Sequence, residues 1–283
     1  MHTAMLFVPG NQASKLEKIL SLKLKSVLLD LEDGVPISAK VEARALVAQT
    51  IGQYSSQTAL WVRINSLDTE FAYPDVQSVV RAGLQGINLP KVEKAADLAT
   101  LDWLLGQLER ERDLPLGSIR VMATLETVKG IKNAEEIALS TSRLECLCFG
   151  TLDFCRDLGI DPQTSLGALN SVVLAAKTRL VLSSRSCGLA APHDGASPEF
   201  KDLERLKTET LQAKELGFSG KHAIHPAQVE VIENVFYPSQ AQLIWAQRIV
   251  NGANSQAVFS LDGQMIDAPV VARAQQILNM VKT

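Results

Sequence analysis

The sequence lacks a surplus of positive charge: 28 Lys+Arg stand against 31 Asp+Glu, for a formal net charge of −3 and a pI near 5.9. A polyanion or an anionic lipid surface is recognised through a broad basic field, so neither nucleic acid nor a membrane is expected as a partner. No apolar run approaches the roughly 20 residues of a membrane helix. Residues 1–5 lead straight into an apolar strand with no basic or long apolar leader, and a cytoplasmic location is expected. Cysteine is scarce: Cys146, Cys148, Cys155 and Cys187 lack the paired spacing and histidines of a zinc site and read as reduced, mostly buried thiols. The phosphate-binding loops G-x-G-x-x-G and G-x-x-x-x-G-K-[ST] are both missing, which removes the dinucleotide and P-loop readings.

What is present is a chain of 283 residues, 46% of them apolar and 21% charged, enough for a large core beneath a soluble surface. Short β-rich runs alternate with longer helical patterns from Ala4 to Tyr237. The runs begin at Ala4 (AMLFVP), Ser26 (SVLLD), Thr58 (TALWVRI), Gly86 (GINLP), Arg120 (RVMATLE), Leu144 (LECLCFG), Gly188 (GLAAP) and Gly220 (GKHAI). Helices are expected over residues 38–53, 94–112, 166–186 and 199–216. Eight βα units predict a closed parallel (βα)8 TIM barrel over residues 1–237. Residues 238–283 read as a C-terminal helical extension with a short strand VFSL, a turn at Asp262-Gly263 and a last helix opened by Ala268-Pro269. Without a flexible linker before it, this segment is expected to pack on a barrel, its own or a neighbour's.

In such a barrel all strands end on one face, so residues just after each run converge. Those residues are Asp30-Leu31-Glu32-Asp33, Arg63-Ile64-Asn65, Pro90-Lys91, Glu126-Thr127, Gly150-Thr151-Leu152-Asp153, His193-Asp194 and Ile224-His225-Pro226. They recur about once per βαβ unit of ~30 residues. A single charge after a strand often just caps the next helix, but the series favours a site. Glu126 and Asp153 end adjacent strands, and two facing carboxylates conflict unless one is protonated or a divalent cation lies between them. Two carboxylates with waters and substrate oxygens suit Mg2+ better than zinc. Arg63 follows a buried Trp-Val and needs an acid; a standing ion pair with Glu32 or Asp33 and a bound carboxylate are both compatible with that need. Lys91 is less informative, and a lone His225 at a strand end is more often structural than catalytic. Pro9-Gly10-Asn11 and the stretch from Glu126 to Gly130 hint weakly at an anion site. Asp267, on the residues alone, reads as an N-cap of the last helix.

The ordered motifs LFVPGN, LLDLEDGVP, WVRINSLDTE, LPKVE, LETVKGI, FGTLDF, FKDLE, GFSGKHAIHPAQ and SLDGQMIDAP resemble the HpcH/HpaI aldolase and citrate lyase superfamily, in its citrate lyase β-subunit-like branch, across nearly the whole chain. The resemblance implies a TIM-barrel lyase, a homotrimer or a hexamer of trimers, that uses Mg2+ to break or form a carbon–carbon bond between a 2-oxo acid and an acyl thioester. By the same resemblance, Glu126 and Asp153 bind Mg2+, Arg63 holds the 2-oxo acid, and Glu32 and Asp33 line the metal site. Lys91 and His225 are expected among the substrate contacts. Asp267 would be the catalytic acid/base, contributed by the C-terminal segment of an adjacent subunit. Leu152 stands where the family commonly has Glu or Asn, residues 192–198 lack an aromatic that relatives often carry, and IHPAQ is closer to free acyl-CoA lyases than to citrate lyase β subunits. The expected activity is therefore cleavage of a short 3-hydroxyacyl-CoA, (S)-citramalyl-CoA or malyl-CoA, to acetyl-CoA and pyruvate or glyoxylate. The alternatives are a citryl lyase subunit working on an acyl carrier protein within a complex, and a catalytically silent binding homologue.

Overall fold

In the computed structural model, which describes residues 2–165, 167–253 and 258–282, the chain forms two compact units, one over His2–Ile232 and one from Glu233 onward. The first runs β1 (Ala4–Pro9), α1 (Ala13–Leu20), β2 (Ser26–Asp30), α2 (Lys40–Tyr54), β3 (Ala59–Arg63), α3 (Ala72–Val79), β4 (Leu84–Leu89), α4 (Ala95–Glu111), β5 (Arg120–Leu125) and α5 (Val128–Lys132). It continues with α6 (Ala134–Ala138), β6 (Leu144–Phe149), α7 (Thr151–Leu158), α8 (Ser171–Ser186), β7 (His193–Asp194), α9 (Leu203–Leu216) and β8 (Gly220–Ala223), and α10 (Pro226–Phe236) follows. The eight strands pair in chain order and β8 returns to β1, so the barrel is closed and parallel as expected.

A parallel strand covered by helices outside and side chains inside is buried on both faces, which is why the strand sequences read as continuous apolar runs. All five residues of β2 are buried. Met5, Leu28, Trp61, Met122, Cys146 and Cys148 fill the barrel interior. The cysteines are free, with Cys187 the least buried of the four, in line with the thiol reading. Gly86 on β4 leaves room for the Trp61 indole: a Cβ there would collide with the ring and stand 2.6 Å from the Arg120 carbonyl.

Three expected elements are shorter than their sequence patterns. The run at Gly188 gives only the two-residue β7, because Gly188 is left-handed (φ 76°) just past α8 and Pro192 has no N–H for a ladder. The helix anticipated from residue 166 starts at Ser171, capped by Asn170, whose side chain accepts from the Val172 N–H at 3.0 Å; residue 166 itself lies outside the described residues. The one anticipated from residue 199 starts at Leu203, capped by Asp202 through the Arg205 N–H at 2.9 Å. In each case a side-chain acceptor for the first-turn amides, rather than the apolar period, sets the start.

The second unit contains α11 (Gln240–Ala253), an antiparallel hairpin of β9 (Phe259–Leu261) and β10 (Gln264–Ile266), and α12 (Ala268–Lys282). Sequence reading anticipated β9 and the turn but not β10. Ala246, Ile249, Ile266 and Ala274 form its core.

Gly86→Ala is expected to cost about 1–3 kcal/mol through overpacking against Trp61. Urea denaturation should show a lower midpoint at unchanged slope; an unchanged midpoint would contradict this packing account.

Candidate active site

The β2, β3, β5 and β6 strands deliver their charged residues to the carboxyl face of the barrel. Asp30 and Arg63 are direct partners in the β2–β3 register. The Arg63 Nε and Nη2 donate to the two Asp30 carboxylate oxygens at 2.7 and 2.8 Å, a bidentate fork. Asp30 also accepts from the Glu32 and Gly34 amides at 2.9 and 2.8 Å. The expected partners of Arg63 are thus corrected. Asp30 is the principal one, Glu32 comes second with its Oε2 3.1 Å from Nη1, and Asp33 does not reach it. Asp33 has a 60% exposed side chain, and among the described residues its one ion-pair neighbour is Lys91, at 3.9 Å. Phe7 lies under the guanidinium, 4.5 Å from its centre, so the aromatic face adds to the fixing of Arg63.

Lys91 adopts a left-handed backbone (φ 53°), a strained setting for a non-glycine residue. That turn points its N–H at Glu126 Oε1, at 2.9 Å, while its ammonium pairs with Glu32 Oε1. Glu126 is buried just past β5. Gly150, at the end of β6, has no room for a Cβ because one would strike the Glu126 carboxylate. Asp153, in the first turn of α7, pairs with the exposed Arg156 at 2.7 Å. Arg63, Glu126, Gly150, Leu152 and Asp153 line one open cavity of about 390 Å3.

Charge in this cradle is unbalanced. Burial would raise the Asp30 carboxyl, but the Arg63 guanidinium and two backbone amides hold it below the ordinary range. Burial raises Glu32 despite Arg63 and Lys91. Glu126 is pushed up to about 8 by burial first and then by the negative charges of Glu32 and Asp153. A carboxyl that resists ionising beside two other acids is a seat for a cation. The donors are hard oxygens from Glu126 and Asp153, and among the described residues no cluster of three or more His, Cys, Asp or Glu side chains forms a fuller ligand set. Two protein carboxylates completed by waters or substrate oxygens fit Mg2+.

The remaining expected residues lie differently. His225 is exposed, stacks on Phe200 (ring centroids 5.2 Å apart) and accepts from the Ala227 N–H at 3.2 Å, capping α10; it does not line the cavity. Asp267 belongs to the second unit and caps α12, with its Oδ1 3.4 Å from the Val270 N–H. The weak anion-site hint after Glu126 is not sustained, because the Val128 and Gly130 amides are taken by Asp157 and Thr127 at 2.8 and 3.1 Å. One pairing and one residue of the cavity lie outside the sequence expectations. The Asp30–Arg63 pairing could have been found from opposite charges at matching strand ends. His222, which packs edge-on against Phe7 and is held neutral by burial down to about 3, carries no comparable signal.

A (βα)8 barrel with an arginine and paired carboxylates at the carboxyl ends of its strands defines the class: a barrel enzyme with a seat suited to a hard cation. Residues 3–226 match the family described as HpcH/HpaI aldolase/citrate lyase, and the chain belongs to that family. It is 34% identical to the citrate lyase subunit beta of Haemophilus influenzae, over 100% of this chain and 98% of that protein. It is equally 34% identical to a (3S)-malyl-CoA thioesterase of Cereibacter sphaeroides, over 97% and 93%. Among solved structures it resembles the protein CitE of Mycobacterium tuberculosis in complex with magnesium, acetoacetate and coenzyme A, at TM-score 0.81 and 28% identity over 99% of this chain and 98% of that one. The chain is a citrate lyase β-like enzyme of the carbon–carbon lyase class.

Two outcomes follow from the cradle. Between the ordinary glutamate range and about 8, the folded state holds a Glu126 proton that the unfolded chain has released, so metal-free stability falls as pH rises through that window. Mg2+ should reverse the trend and displace the proton below pH 8, measurable as buffer-dependent heat in titration calorimetry; buffer-independent heat would contradict it. Asp30→Asn, which leaves Arg63 without its fork, should cost about 3 kcal/mol in denaturant unfolding. A loss under half of that would mean Glu32 alone suffices to hold Arg63.

Proposed function

We propose that this protein is a Mg2+-dependent lyase that splits a short 3-hydroxyacyl-CoA, such as (S)-citramalyl-CoA or malyl-CoA, into acetyl-CoA and a 2-oxo acid, pyruvate or glyoxylate. The observation that carries the reading is the shared cavity of Arg63, Glu126 and Asp153, with Glu126 held short of ionisation by burial and then by the neighbouring acids. The relative solved with magnesium, acetoacetate and coenzyme A supports it from outside the chain.

Glu126 and Asp153 would hold Mg2+, which supplies a Lewis acid for the oxygen at the 2-oxo acid end. Arg63 binds the carboxylate of that fragment with the N–H donors that Asp30 and Glu32 leave free. Glu32, between Arg63 and Lys91, keeps both cations in place, and Asp33 stands at the rim. When the carbon–carbon bond breaks, the substrate hydroxyl releases its proton to solvent and becomes the carbonyl oxygen of the 2-oxo acid, while the electron pair of the broken bond becomes the enolate of the departing thioester. Asp267 in its acid form gives that carbon a proton; in the synthetic direction the ionised Asp267 removes it. Asp267 reaches this position from the C-terminal segment, residues 238–283, of an adjacent subunit in a homotrimer or hexamer.

Two experiments decide. On a panel of malyl-, citramalyl- and citryl-CoA, the 2-oxo acid and acetyl-CoA should appear together and vanish with EDTA. Release of free CoA without a 2-oxo acid would instead indicate thioester hydrolysis, and chelator-insensitive cleavage would remove the metal assignment. Asp267→Asn should lose turnover by at least about 100-fold while retaining pyruvate binding. Mixed oligomers of Asp267→Asn and Arg63→Met subunits should regain activity; no recovery would place each Asp267 at its own barrel.

A further inference from the structure

A second charged cluster lies apart from the Arg63 cradle. Asp194 on β7 and Lys221 on β8 are register partners, and Lys177 of α8 joins them. Both ammonium groups stand 2.7 Å from the Asp194 carboxylate, one on each oxygen. All three are interior residues, at 0% exposure for Asp194, 3% for Lys221 and 8% for Lys177. Burial would raise the Asp194 carboxyl, but the two lysines outweigh it and keep it ionised. One carboxylate balances one ammonium. Among the described residues neither lysine has another acidic partner within ion-pair distance, so one positive charge has no anion and meets only the Phe149 and Phe218 rings, 5.8 and 5.9 Å from the Lys177 ammonium, a costly state for a buried ion.

The two lysines line a cavity of about 310 Å3. Each ammonium carries three donors; Lys221 gives one to Asp194, while Lys177 meets the carboxylate as an ion pair without hydrogen-bond alignment. Ser197 lines the same cavity, and its buried hydroxyl has no hydrogen-bond partner. Thr208 and Gln212 of α9 add polar wall, while the nearby Arg205 and Glu209 neutralise each other at 3.0 Å. Spare donors, an orphaned hydroxyl and a surplus positive charge around a void call for one kind of occupant. We propose that this cavity binds a small oxyanion, a phosphate or carboxylate group, on Lys177, Lys221 and Ser197. It shares Thr151, Leu152 and Ala196 with the Arg63 cavity, so its occupant sits against the wall of the active site. The assignment does not rest on the reaction proposed above.

Titration calorimetry of the full-length protein with inorganic phosphate at low ionic strength tests it. One site is expected, weakened about tenfold or more in Lys177→Met and about three- to fivefold in Ser197→Ala, with Arg63→Met unaffected. Ser197→Ala changes one atom and decides alone if Lys177→Met fails to fold. Competition then identifies the source: displacement of phosphate by CoA means the group belongs to a larger ligand, and additive binding means a free ion, either outcome keeping the oxyanion in this cavity. Absence of phosphate heat, equal affinity in Ser197→Ala, or loss of binding in Arg63→Met would overturn the assignment.

Discussion

Everything at the carboxyl face of the barrel depends on a conflict between like charges. Glu32, Glu126 and Asp153 converge where Arg63 and Lys91 only partly offset them, and Glu126, desolvated by burial and set beside the other two acids, holds its proton up to about 8. Left alone, such a cluster penalises the fold at neutral pH. A hard dication relieves the penalty, so stability and metal binding become one question.

The Asp30–Arg63 fork makes the cluster usable. A guanidinium gripped on two nitrogens by a carboxylate, which is itself held by two backbone amides, cannot swing away to neutralise the other acids. It remains a directed donor beside the cavity. Lys91 does the parallel task from β4's end, where one left-handed residue ties Glu126 by its amide and Glu32 by its ammonium. Gly150 completes the arrangement by leaving Glu126 the space it fills. Fixed partners lower the reorganisation a reaction would otherwise require.

The barrel was legible because parallel strands buried on both faces leave continuous apolar runs, and because each run ends in a charge about one βαβ unit after the last. Arg63, Glu126 and Asp153 were found by that spacing, and they do line one cavity. Of the two acids expected to pair with Arg63, Glu32 does so and Asp33 does not, while the principal partner, Asp30, is set by strand register, which puts it opposite Arg63. The Gly188 run was overestimated because composition does not show that a left-handed glycine and a proline interrupt the ladder. Lys177, Lys221 and Asp194 stayed separate in the sequence because only the closure of β7, β8 and α8 brings them together. Asp267 caps α12 within its own unit.

The central claim, that Glu126 and Asp153 share one hard dication, is tested most directly with Mn2+ as a spectroscopic stand-in. In an electron paramagnetic resonance titration, the native chain should bind one Mn2+ that Mg2+ displaces. Glu126→Gln and Asp153→Asn should each weaken binding by more than about tenfold. Native-like Mn2+ affinity in both variants would contradict the account.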